Sequence, residues 1–251
     1  MQAMDTDARA GTSGFHSAVR NRYYYGKLLD VVHFDIEQDY GNYKRWLINR
    51  AVIGCGVVCG LDVELSRDGK SVTVTRGLAF DGDGRELIVP SRSREIELPP
   101  PPESDSKQAP CYDDEGRYHL VICYHECPGG SDPGPGGDCG DDPCVTSLIL
   151  EKYSLEWRAG RAPDVPHDVC VPELVSGERI NRRALALHIS RCPDTSCGLC
   201  IPLANVTIPK PGEGEVDIDI TVRPIVYTNP LLYELITAMT SDRQNRGRVG
   251  K

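Results

Sequence analysis

Cys127, Cys139 and Cys144 fall within residues 126–144, ECPGGSDPGPGGDCGDDPC, a stretch otherwise made almost entirely of glycine, proline, aspartate and serine. Such a composition buries too little apolar surface to hold one conformation, so any fixed shape must come from the sulfurs or from a partner. Downstream, Cys192-x4-Cys197-x2-Cys200 contains one Cys-x2-Cys pair, the spacing with which adjacent turn residues offer two thiolates to a tetrahedral ion. Cys127, Cys139, Cys144, Cys192, Cys197 and Cys200 are therefore candidate ligands of a structural zinc. Zinc binding contributes on the order of 10 kcal/mol, enough to order a loop that packing cannot. Disulfides among the same six residues are the alternative. Cys55 and Cys59 are read as core thiols, and His125 as a strand histidine rather than a ligand.

Catalytic readings of these residues fare worse. A zinc deaminase needs His-x-Glu and Pro-Cys-x-x-Cys, whereas here His125 and Glu126 are adjacent and Pro143-Cys144 is followed by Val-Thr-Ser. The sequence holds no His-Glu-x-x-His, nucleophile elbow, phosphate loop or dinucleotide fingerprint. A zinc hydrolase with an open metal position beside His125 or Glu126 is the remaining enzymatic reading. FDGDGRE resembles a calcium loop in composition but lacks its spaced acidic ligands and terminal glutamate, and reads as a hairpin turn.

The elements that must carry these residues follow from periodicity. Residues 1–20 are small and polar and read as a flexible arm. In HFDIEQDYGNYKRWLINRAVIG, Asp35 is the expected N-cap with Gln38 three residues on; Ile36, Tyr40, Tyr43, Leu47 and Ala51 share one helical face, and Gly54 ends the run. Residues 57–102 alternate in short runs broken by RDGK and DGDG, the pattern of about four antiparallel strands. The prolines at 99–102 mark a boundary. RYHLVICYHEC reads as a buried strand and SLILEKYSLEWR as its returning partner, which makes the cysteine loop an insertion between them. SGERINRRALALHIS reads as a helix capped by Ser176, with a strand as the second reading of its last half, CIPLANVTIPK and EVDIDITVRPIVYT as strands, and NPLLYELITAM as a short helix before a basic tail. The expectation is an α+β, mostly β fold: an arm (1–20), a helix with a small antiparallel β-unit (21–102), a β-rich module with a cysteine-stapled loop (103–240) and a basic tail (241–251).

With Lys+Arg 28 against Asp+Glu 37, the net charge of -9 disfavours nucleic acid and anionic membrane surfaces as partners, leaving protein. No window approaches the ~18 apolar residues of a membrane span. Nor does the beginning of the sequence read as a secretory leader, so cytoplasmic folding is expected.

The stretch NRYYYGKLLDVVHFDIEQDYGNYKRWLINRAVIGCGVVCGLDVEL resembles a segment of structural proteins from gene clusters of contractile, phage-tail-like injection systems. The matching residues are Tyr23 to Leu29, Glu37, Gln38, Lys44, Arg45 and Gly54 to Val63. GLAFDGDGRELIVP likewise resembles a hairpin of phage baseplate and tail-fibre attachment proteins. The resemblance implies a particle building block rather than an enzyme: a baseplate, cage or fibre component, synthesised and assembled in the cytoplasm of a bacterium or archaeon, docking on other subunits as a homo-oligomer, and extracellular once a particle is released. Tyr23, Tyr24 and Tyr25 are then interface anchors, since tyrosine buries large area at small entropic cost; packing of two of them on the chain's own helix is the competing reading. A peripheral receptor- or glycan-binding attachment protein is the alternative function.

Overall fold

A computed structural model describes residues 16–100, 116–130, 147–163, 174–176, 179–190, 197–210, 212 and 214–248. Helix α1 (Val31–Ile48) runs into a turn of π-helix (Asn49–Ile53) and is followed by strands β1 (Gly56–Gly60), β2 (Val63–Leu65), β3 (Ser71–Val74), β4 (Gly77–Phe80), β5 (Glu86–Val89) and β6 (Ile96–Glu97). Beyond them come β7 (Arg117–Gly129), β8 (Leu148–Ala159), the short pair β9 (Val175–Ser176) and β10 (Arg179–Ile180), α2 (Arg182–Ile189), β11 (Cys200–Thr207), β12 (Asp217–Asp219) and α3 (Asn229–Arg248). The fold is the α+β, mostly antiparallel architecture expected, with an N-terminal helix and sulfur staples.

The expected small β-unit is two three-stranded sheets, ordered β1-β4-β5 and β2-β3-β6. Both Asp-Gly segments are turns: Gly69 takes a positive φ between β2 and β3, and Asp81 to Arg85 link β4 to β5. The buried strand and its return are β7 and β8, antiparallel from Tyr118↔Ala159 to Gly129↔Leu148. β11 lies on the other edge of β7, giving the order β12-β11-β7-β8. Leu120, Ile122, Ile201, Leu203 and Val206 from this sheet meet Leu61, Val72, Val74, Leu87 and Val89 in one continuous apolar cluster, so residues on either side of the proline run share a core. Arg223 ties the sheets at one corner, donating to the carbonyls of Leu203 and Gly60 and pairing with Asp62 at 3.1 Å.

Three helix boundaries differ from expectation. α1 starts at Asp30, not Asp35: the Asp30 carboxylate accepts from the Val31 amide, and the Asp30 N–H donates to His33 Nδ1, closing a capping box. α2 is capped by Asn181 rather than Ser176, its Oδ1 accepting from the Ala184 amide. α3 runs on through Arg248, because the polar residues after Met239 contain no helix breaker before Gly247. Among the described residues no helix is long and apolar enough to cross a membrane. The arm at 1–15, the polar loop at 101–115 and the cysteine loop at 131–146 lie outside the described residues.

Candidate functional site: a helix and tyrosine turn carried on the sheets

The segment from His16 to Asp30 lies back along α1. His16 exchanges hydrogen bonds with Tyr43: its N–H donates to Tyr43 Oη (3.1 Å), whose hydroxyl donates to the His16 carbonyl (2.7 Å). Farther along, Asn21 Nδ2 donates to the His33 carbonyl, and Tyr23 Oη donates to Glu37 (3.2 Å). The Lys27 amide donates to the Tyr24 carbonyl, and Gly26 sits at φ 80°, so Tyr24-Tyr25-Gly26-Lys27 is a β-turn with its left-handed third residue supplied by glycine.

That turn separates the three tyrosines. Tyr23 leans on α1 beside Lys27, whose ammonium stands 5.6 Å from its ring, yet remains 57% exposed, and Tyr24 and Tyr25 stand at the tip, 66% and 107% exposed. Leu28 (87%), Val31 (70%), Val32 and Phe34 continue the apolar surface onto the first turns of the helix. α1 contains no buried residue; Ile36, Tyr40, Tyr43 and Leu47, the face expected to pack, are only partly covered, in part by the arm. A second such element is α3, where Leu232, Leu235, Ile236 and Met239 recur at helical spacing and are all exposed.

α1 is fixed at its C-terminal end. Asn49, buried, donates through Nδ2 to the Gly84 carbonyl (2.8 Å) and to Glu86 (2.9 Å); Arg45 pairs with Glu86 at 3.2 Å and reaches Glu151. The receiving turn, Asp81 to Arg85, is organised by the Asp81 carboxylate, which accepts from the amides of Asp83 and Arg85 (2.9 Å each) and from Arg85 Nε (2.7 Å). The Arg85 guanidinium then lies 4.7 Å from the Tyr124 ring on β7. Burial above all, and then the Glu126 carboxylate that accepts from Tyr124, hold that hydroxyl's pKa well above the ordinary tyrosine value.

The same turn abuts the second cysteine cluster. The Gly82 N–H donates to the Gly198 carbonyl (3.0 Å), and a β-carbon at Gly82 would drive into the Cys197 carbonyl oxygen. Because the obstacle is backbone, Gly82→Ala is expected to cost about 2 kcal/mol. In a chain of this size that corresponds to a fall in Tm of roughly 4–8 °C in a thermal melt.

The cysteines themselves pair in a way that spacing did not indicate. Cys197 is bonded to Cys55 and Cys200 to Cys123. Two of the six candidate zinc ligands thus hold their sulfurs in S–S bonds and, in this oxidised form, offer no thiolate. The reason is topological: β11 beside β7 sets Cys200 opposite Cys123 in register. Cys55, expected as a core thiol, is a disulfide partner, and Cys59 is a free, exposed thiol. Cys127 is a free, half-buried thiol, while Cys139, Cys144 and Cys192 lie outside the described residues. Among the described residues no three His, Cys, Asp or Glu side chains are grouped to hold a metal ion.

No family model and no curated protein matches the sequence. Among solved structures, the chain is similar to "Crystal structure of TssK", with a TM-score of 0.41 and 12% identity over 92% of this chain and 50% of that one. It is also similar to a chain of "The baseplate complex from the type VI secretion system" (TM-score 0.41, 13% identity, covering 94% of this chain and 51% of that one). A third is a chain of the TssK-TssF-TssG baseplate subcomplex of the type VI secretion system (TM-score 0.40, 14% identity, covering 91% of this chain and 71% of that one). The chain spans about half the length of the first two.

Proposed function

We propose that this chain is a structural component of a contractile, phage-tail-like injection particle and that it works by docking on neighbouring subunits. The observation that carries this reading is the surface built from the tyrosine turn and α1. An 18-residue helix without one buried residue is anchored to the sheets at one end; at the other, the tyrosine turn leaves Tyr24, Tyr25 and Leu28, and the first helical turn Val31 and Phe34, open to solvent. Contiguous apolar surface of this kind, rich in aromatics and framed by polar residues, is what protein interfaces use. The particle class is supplied by the sequence resemblance of Tyr23 to Leu29 and Gly54 to Val63, which brackets this same helix. The exposed aromatics lie on the turn, on α1 and around the start of α3 (Tyr227 and Tyr233), whereas Tyr124, Tyr153 and Trp157 of the large sheet are partly covered; this favours assembly over glycan recognition on the β-module.

The test is incorporation into purified particles. Tyr24→Ala with Tyr25→Ala and Phe34→Ser removes three exposed side chains, so the Tm should stay within about 1 °C. Loss of anchors that each contribute about 2 kcal/mol weakens docking by at least ~30-fold, and the variant is expected to be missing from particles that retain the wild-type chain. Wild-type levels of the triple variant in particles, or particles that never contain the wild-type chain, would overturn the proposal.

A further inference from the structure

The two disulfides differ in what else holds their cysteines together. Cys200 and Cys123 open the pairing of β11 with β7, which continues from Ile201↔Ile122 to Thr207↔Arg117 and adds β12 on the far side. Severing that S–S bond leaves a ladder of backbone hydrogen bonds in place. Cys55 and Cys197 have no such ladder. Cys55 follows the π-turn that ends α1, and Cys197 starts the segment 197–199 ahead of β11, which also receives the Gly82–Gly198 hydrogen bond. Both residues are partly buried, Cys197 against the core cluster, and among the described residues the base of α1 is otherwise held by the polar contacts of Arg45, Asn49 and Arg50 and by the start of β1 at the next residue.

We propose that the Cys55–Cys197 bond is a redox-sensitive clamp: reduction by a dithiol frees the base of α1 and the segment 197–199 while the four-stranded sheet stays paired. The exchange balances without any further reagent. One thiolate of the dithiol attacks a sulfur of the bond, forming a mixed disulfide and expelling the other cysteine as a thiolate, which takes up a proton. The second thiol of the reagent then closes its own disulfide and releases the first cysteine, so two electrons and two protons pass to the protein. At the other bond, Arg158 Nη2 lies 3.1 Å from Cys200 Sγ, a cation placed to stabilise a departing thiolate. Reduction there is also chemically open, but it meets a strand already held along its length. What distinguishes the clamp is the consequence of its reduction.

Hydrogen–deuterium exchange of the full-length chain, with and without dithiothreitol, tests this. Reduction is expected to speed exchange in peptides covering 45–56 and 197–199 by about tenfold or more beyond what the measured loss of global stability accounts for, while 117–123 and 201–207 stay the slowest and exchange no faster than global unfolding of the reduced protein allows. Cys55→Ser with Cys197→Ser should reproduce the fast exchange without reductant and respond no further to it. Cys123→Ser with Cys200→Ser should keep slow exchange at 45–56 until dithiothreitol is added. Unchanged exchange at 45–56 on reduction, equal acceleration across 201–207, or absence of a Cys55–Cys197 linked peptide in a non-reducing digest would each overturn the clamp.

Discussion

Cys123→Ser with Cys200→Ser is expected to lower the unfolding free energy by about 4 kcal/mol, a fall in Tm of roughly 8–16 °C. The bond joins residues 77 apart, so its removal returns the entropy of a long open loop to the unfolded chain while leaving the β7–β11 ladder intact in the native one. Urea unfolding in the absence of reductant measures the loss, and the m value should rise because the uncrosslinked chain exposes more surface. The bonds are not independent: with Cys55 joined to Cys197 across 142 residues, part of the conformational freedom that Cys123–Cys200 would remove is already gone. Each single loss is thereby reduced by the bond that remains, and removing both should cost more than the sum of the two losses measured singly.

Asp81→Ala is expected to cost about 3 kcal/mol, since it strands the Asp83 and Arg85 amides and leaves the Arg85 guanidinium without its nearest counter-charge in a site where Asp81 is 0% exposed. Asp81→Asn retains the shape and removes the titration, and the pair of variants yields a pH signature. Burial raises the Asp81 pKa above its ordinary 3.8, with the Arg85 contacts opposing that rise. The native state therefore keeps this proton to higher pH than the unfolded chain does. Its contribution to stability is complete below the ordinary carboxylate value and is lost as pH rises through the raised one. Wild-type stability relative to Asp81→Asn, followed by urea titrations from pH 3 upward, should decline over that interval; a difference that grows with pH would contradict the assignment.

Local signals in the sequence translated well and distant ones did not. Each partner of the β7–β8 hairpin is visible alone, as the apolar run Tyr118 to Tyr124 and the alternation through Leu155 and Trp157, and their antiparallel pairing needs only proximity in the chain. The Asp-Gly turns are legible for the same reason, because their geometry is decided by the residues they contain. That β11 crosses from residue 200 to lie beside β7 is written in no local pattern, so the partners of Cys55 and Cys123 could not be read from spacing. The helix start shows a further limit. Val31, Val32 and Phe34 carry β-branched and aromatic side chains that obscure a helical beginning, and the signal missed was Asp30 followed three residues later by His33. The exposure of Tyr24 and Tyr25 agrees with their reading by type, whereas Leu28, Val31 and Phe34 join the same exposed patch only once the turn at Gly26 folds the arm against the helix.

The position of β11 also sets an order of events during synthesis. β7 and β8 can pair as soon as both have emerged, but the opposite edge of β7 stays open until residues 200–207 follow, 77 residues after Cys123. At about 5–20 residues per second that is a wait of roughly 4–15 s. Throughout it Leu120, Val121 and Ile122 border an unpaired strand edge, a template for pairing with another nascent chain. The ribosome-bound intermediate, rather than the finished protein, is where this fold is most exposed to misassembly.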